Sequence, residues 1–211
     1  HFDRPGMDTI LSRQHIDTER FNLAGYMISS VAKFAGKNRV LSETYTGSGW
    51  EFSMNDKKRI ANRLLVEGVN FVQYMAAYYS MKGSRKTFSN SYPPSHNGLN
   101  PQFVYYKDFN QYLARFQYVS SESVPDGKTL ILHPFVSCQC QTRPKYQHHG
   151  MLATDYYSPG DFIYKDATLA AIVNAMQTMN RSFQIGFEEV LHNATVQNGK
   201  LSLAGSEYEM I

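Results

Sequence analysis

The run Arg39-Val40-Leu41-Ser42 has the pattern of a buried strand, and it delivers a carboxylate, Glu43, into a loop of Thr44, Tyr45, Thr46, two glycines and Trp50. A strand end holds a carboxylate more firmly than a loop does. The side chain there can move a proton or accept a hydrogen bond from a ligand hydroxyl. Tyr45 and Trp50 are flat rings of the kind that stack on sugars or peptides. The plain alternative is a solvated loop glutamate, which costs little. Asp8, in the short turn-flanked run Pro5–Ile10, is a second carboxylate at a strand end. Glu51 shares the Trp50 loop but has no strand to position it.

Cys138 and Cys140 form a Cys-Gln-Cys pair, with His133, His148 and His149 nearby. Zinc motifs use two- to four-residue gaps and four organised ligands. A disulfide between residues two apart is strained. The expectation is two reduced thiols and no metal.

The elements that must position these groups follow from periodicity. Residues 19–35 carry Phe21, Ala24, Ile28, Val31 and Phe34 at helical spacing, and Gly36 stands in the stop position. Ser53 and Asp56 form a helix-start signal for residues 54–67, which Gly68 ends. Val69–Ala76 has the pattern of another buried strand. A long loop rich in Ser, Asn, Pro and Gly over 83–104 includes Tyr92-Pro93-Pro94-Ser95-His96, with His96 expected at the surface. Residues 105–121 return to helical spacing. Strands alternating with amphipathic helices imply βαβ units on a parallel sheet.

Pro125-Asp126-Gly127-Lys128 is a turn and a boundary. Beyond it lie a strand at 129–134, a polar insert near 137–164, a helix at 166–182, and a run from Phe183 to Glu189 that leads to a short helix ending near His192. Asn198-Gly199 marks a hairpin within 194–203. Tyr208–Ile211 has the look of a strand beginning. Glu188 and Glu189 are expected to cap a helix N-terminus rather than to catalyse.

Bulk properties exclude some partners. The net charge of +3 arises from scattered cations, and the densest cluster, Lys82-Gly83-Ser84-Arg85-Lys86, is too short for a nucleic-acid stripe. No run of about 18 apolar residues exists to cross a membrane. The first residues have no apolar signal core, so localisation stays open between cytoplasm and periplasm. No glycine-rich nucleotide fingerprint follows any strand.

Several segments, in order, carry a resemblance: SSVAKFAGKNRVLSETYTGSGWEFS, GVNFVQYMAAYYSMKGSRK, SYPPS, YLARFQYV and KTLILHP. Together they resemble the C-terminal part of the catalytic TIM barrel in bacterial glycoside hydrolases related to the family 106 α-L-rhamnosidases and their uncharacterised relatives. The later run FQIGFEEVLHNATVQNGKLSLAGSEYEMI resembles the start of the α/β domain that follows the barrel. The likeness covers most of residues 5–135 and 166–211, and leaves 137–164 unmatched.

The resemblance implies an α/β chain: residues 1–124 as the C-terminal portion of a (β/α)8 barrel, then residues 125–211 as part of a Rossmann-like α/β domain. Residues 39–43 would be the seventh strand, 69–76 the eighth, and 105–121 the closing helix. Barrel sites lie at the C-terminal ends of the strands. Glycoside hydrolysis needs a carboxylate pair about 5 Å apart for retention and about 6.5–9.5 Å for inversion. Glu43 is then one catalytic carboxylate, and Asp8, Tyr45, Trp50, Gln73, Arg85 and Lys86 contact the substrate. Where relatives carry a histidine this chain has Tyr74, which weakens any contact carried over there.

The implied partner is an oligosaccharide or glycoside, with no nucleic acid and no membrane. No cofactor is implied, although calcium stays open because its oxygen ligands leave no short signature. The chain is expected to begin too late for four or five of the eight strands. On that expectation it does not hydrolyse alone, and pairs with the rest of its barrel or with a second copy. A non-catalytic sugar-binding or assembly module is the competing expectation.

Overall fold

The computed structural model describes residues 3–9, 19–87, 92–123, 126–141 and 161–209. The chain divides into two compact units, His1–Pro125 and Asp126–Ile211.

In the first unit, β1 (Gly6–Thr9), β2 (Leu41–Thr44) and β3 (Phe71–Tyr74) form one parallel sheet in the order β1-β2-β3. Helix α1 (Glu19–Phe34) connects β1 to β2, and α2 (Met54–Val66) connects β2 to β3. A 3-10 turn, Pro101–Tyr105, leads into α3 (Tyr106–Glu122). Parallel neighbours need such crossovers, which is why strand and helix alternate.

Capping defines where these helices start and stop. Ser53 accepts from the Asp56 amide while the Asp56 carboxylate takes the Ser53 amide, a reciprocal capping box at the start of α2. Asn100 accepts from the Gln102 amide and opens the 3-10 turn, with Pro101 at its first position.

Alternation along each strand sorts the side chains onto two faces. On one face Met7, Val72 and Tyr74 pack against a core of Ala32, Val40, Tyr45, Phe52, Ile60, Ala61, Leu64, Val69, Phe109 and Leu113. The other face carries Asp8, Leu41, Glu43, Phe71 and Gln73, each half-buried or exposed. Among the described residues no strands close this sheet into a barrel.

An i,i+4 ion pair closes the end of α2 and packs against α1, whose Ser29 Oγ donates to the Glu67 carbonyl at 2.8 Å. The Glu67 carboxylate, nearly inaccessible, accepts from Arg63 Nε at 2.8 Å. It lies so close to α1 that a Cβ on Gly25 would stand 2.2 Å from Glu67 Oε2. Only glycine fits at position 25. Burial is the main influence on Glu67, and it outweighs the Arg63 hydrogen bond and charge to push the carboxyl up to about 7.

In the second unit, β4 (Thr129–His133) and β5 (Phe183–Phe187) are parallel. Helices α4 (Phe135–Gln141) and α5 (Asp161–Thr178) lie between them in sequence. A 3-10 segment, Glu188–Asn193, leads to an antiparallel meander of β6 (Thr195–Gln197), β7 (Lys200–Leu203) and β8 (Ser206–Tyr208). The Asn198-Gly199 turn is as expected, both residues having positive φ. Tyr208, expected to begin a strand, is the last residue of the short β8, which pairs with β7, and Met210 and Ile211 lie outside the described residues. Tyr208 is buried and its hydroxyl bonds Gln184 on β5.

The insert expected to be irregular begins as helix. Cys138 and Cys140 fall within α4. Cys140 is exposed and free. His148 and His149 lie outside the described residues. Glu188 accepts from the amides of Phe135 and Val136, at 2.9 and 3.4 Å, so it sits at the α4 N-terminus as a cap.

Candidate functional site

Register places three of the expected site residues side by side. Asp8 on β1 pairs with Glu43 on β2, and Glu43 pairs with Gln73 on β3. Each is the penultimate residue of its strand, so the row crosses the C-terminal ends of all three strands. In-register neighbours on a parallel sheet point to the same face. The strands are about 4.7–4.9 Å apart, so the two carboxylates are anchored as immediate neighbours.

Hydroxyls on the opposite face hold these strand ends. Thr9 Oγ1 donates to the Glu43 carbonyl at 2.9 Å and lies 3.1 Å from Ser42 Oγ. Thr44 Oγ1 lies 2.8 Å from Ser42 Oγ and 3.0 Å from the Ser42 carbonyl. All three hydroxyl residues are buried. Buried, satisfied polar groups of this kind are rigid, and they fix the backbone from which Glu43 projects.

Loss of solvation, and then the charge of Glu43 beside it, push Asp8 up to about 6. Asp8 remains open to solvent on one side, so the Glu43 charge is the cause the geometry supports more firmly. Two like charges this close resist ionising together. A carboxyl that titrates near neutrality can donate a proton or take one. Gln73, exposed beside the pair, adds an amide that can donate to or accept from a ligand hydroxyl.

The loop after β2 does not use its rings as the sequence suggested. Tyr45 is wholly buried, and its hydroxyl donates to the Lys57 carbonyl at 2.9 Å. Its ring packs with Phe52, Tyr74 and His96. The expected stacking of Tyr45 on a ligand is therefore corrected: this ring is core. The cause is local, because Tyr45 has φ of 82°, and that left-handed turn at the strand end swings the side chain inward.

Trp50, by contrast, is 39% exposed and meets the Tyr78 ring edge-on at 6.0 Å. Gly49, with φ of 89°, donates its amide to the Pro93 carbonyl at 3.2 Å. A Cβ there would meet the Glu51 carboxylate at 2.6 Å. Glu51 thus folds back on its own loop.

His96 is buried rather than at the surface. Its Nδ1 is 2.7 Å from the Tyr106 hydroxyl, and its amide donates to the Ala76 carbonyl. Burial and the nearby Lys57 charge lower it to about 4, which keeps it neutral. Lys57 is itself buried, donating to the Phe52 carbonyl at 2.7 Å and lying over the Phe52 ring. Burial lowers it to about 8. Composition gave no sign of this layer, because a lysine and a histidine in polar stretches look like surface residues.

Arg85 and Lys86 are exposed in the turn after β3. The Lys86 carbonyl accepts from the Tyr79 and Ser80 amides at 3.1 and 3.3 Å, which closes the turn. Among the described residues no three of His, Cys, Asp or Glu gather to hold a metal ion. Nor, among the described residues, is any helix long and apolar enough to cross a membrane.

Comparison with solved structures shows a likeness of fold. A rhamnosidase from Novosphingobium sp. PP1Y is similar in structure, with a TM-score of 0.62 and 14% identity. The match covers 100% of this chain and 18% of that one. No protein-family model matches, and no curated protein does. At that identity the likeness is one of fold: the mixed α/β arrangement here is like a stretch of a glycosidase. This chain spans about a fifth of that protein's length.

Proposed function

We infer that the first unit carries part of a glycoside hydrolase site, with Glu43 as a catalytic carboxylate. The observation that carries this reading is the in-register row Asp8–Glu43–Gln73 at the C-terminal ends of three parallel strands. That is where a β/α barrel keeps its chemistry. On this reading β1 to β3 are late strands of a (β/α)8 barrel of the family 106 kind, and the second unit is part of a Rossmann-like α/β domain.

Asp8 and Gln73 bind sugar hydroxyls beside Glu43, Trp50 offers its exposed ring to a sugar face, and Arg85 and Lys86 orient substrate oxygens. The substrate is a rhamnose-like glycoside or oligosaccharide. Likeness to a rhamnosidase fold supports that class.

A second reading is a sugar-binding module without turnover. The open sheet favours it, since only three parallel strands frame the row among the described residues. One experiment separates the two: an aryl α-L-rhamnoside offered to the parent chain and to Glu43→Gln, with binding and release followed together. Turnover by the parent that the variant loses supports the enzyme. Binding without turnover by either supports the module. Absence of binding, or equal turnover by both, contradicts the site.

A further inference from the structure

The turn after β3 has a charge pattern that sugar hydroxyls do not require. Between Glu67 and Asp108 the sequence contains no acidic residue, yet it holds Lys82, Arg85, Lys86 and Lys107. Three of these cations stand within five residues, all exposed. No carboxylate among the described residues pairs with them.

The turn that presents them is well built. Besides the two bonds onto the Lys86 carbonyl, the Lys86 amide donates to the Gly83 carbonyl at 3.1 Å, and Gly83 supplies a φ of 85°. The Lys82 amide donates to Ser80 Oγ, and Thr87 Oγ1 to the Ser84 carbonyl.

Its position matters as much. Tyr78, just before the turn, is the ring that Trp50 meets edge-on, and its amide donates to Ser95 Oγ at 2.9 Å. The turn therefore follows β3 at the same end of the sheet as Glu43, and Tyr78, the residue before Tyr79 whose amide closes it, meets the exposed Trp50 ring. Like charges crowded in a closed turn repel one another unless a counter-charge arrives.

We propose that the glycan bound here carries an anionic substituent, a carboxylate or a sulfate, on the sugar neighbouring the one held at Glu43, and that Arg85 and Lys86 receive it. This rests on the carbohydrate reading of the site. Arg85 supplies a planar fork suited to a carboxylate or sulfate, and Lys86 a point charge.

The test is calorimetric titration of the whole chain with rhamnosyl-glucuronate, its methyl ester, and a 6-O-sulfated rhamnosyl-glucose. The parent is expected to bind an anionic sugar about fivefold or more tighter than the ester, the scale of two exposed ion pairs. The preference should shrink with added salt. The double variant Arg85→Gln, Lys86→Gln should bind all three equally, and no tighter than the parent binds the ester. Preference for the uronate or for the sulfate names the source of the anion. Equal binding of all three by the parent, or a preference the variant keeps, overturns this proposal and leaves the carbohydrate site standing. Binding of none contradicts both.

Discussion

Asp8 and Glu43 stand opposite each other on adjacent parallel strands, one rung from the end of each. Their shared face and shared level are what raise Asp8 to about 6, through solvation lost there and the neighbouring charge. Carboxyl carbon shifts followed through a pH titration should therefore show Asp8 titrating near 6 in the parent. In Glu43→Gln it should titrate lower. Folding follows the same sign: a raised carboxyl favours the native state at low pH, and that advantage is lost as pH rises through 6. An Asp8 titration indifferent to Glu43 would separate the two residues.

Tyr45 tests the correction made to the loop. Removing its hydroxyl takes one donor from the Lys57 carbonyl, which keeps its bond in the α2 ladder, a loss of about 0.5–1.5 kcal/mol. Tyr45→Phe should unfold at lower urea while binding glycosides as the parent does. Lost affinity at unchanged stability would return Tyr45 to the site.

Much of the first unit was legible because periodicity and caps are local. The Ser53–Asp56 box, the glycines at 36 and 68, and the strand ending near Glu43 are all decided by neighbours in sequence. Tyr45 and His96 were not, because their burial depends on a left-handed turn and on a loop folded over Tyr74 and Tyr106. The register that aligns Asp8 with Glu43 and Gln73 is likewise tertiary. Two carboxylates 35 residues apart announce nothing until the strands pair.

Glu67 gives a stability slope of known sign. Its carboxyl is raised from 4.5 to about 7. The native state thus holds a proton through that window which the unfolded chain has released. Stability should fall as pH rises from 4.5 past 7, by about 3 kcal/mol. Glu67→Gln keeps an oxygen for Arg63 and should flatten the slope. Urea midpoints measured at about pH 5 and about pH 8 read it directly.

His96 acts on the other limb. Its folded value of about 4 lies below the ordinary 6.5, so its contribution is complete above 6.5 and is lost as pH falls toward 4. His96→Gln should remove that acid sensitivity and cost some stability at neutral pH. An unchanged acid limb would place His96 in solvent.

Trp50 is the one tryptophan in the chain and is 39% exposed. A glycoside stacking on it should quench its fluorescence or shift it to the blue. Trp50→Ala should lower affinity by about 1 kcal/mol or more, the scale of an aromatic contact. Binding that leaves the emission untouched would remove Trp50 from the site.

The most direct test of the central claim is a map of amide shifts during titration with an α-L-rhamnoside. Changes are expected at Asp8, Glu43 and Gln73, on the strand ends of the first unit, and at Trp50 in the loop after β2. Changes confined to the second unit, or none at the Glu43 row, would contradict it.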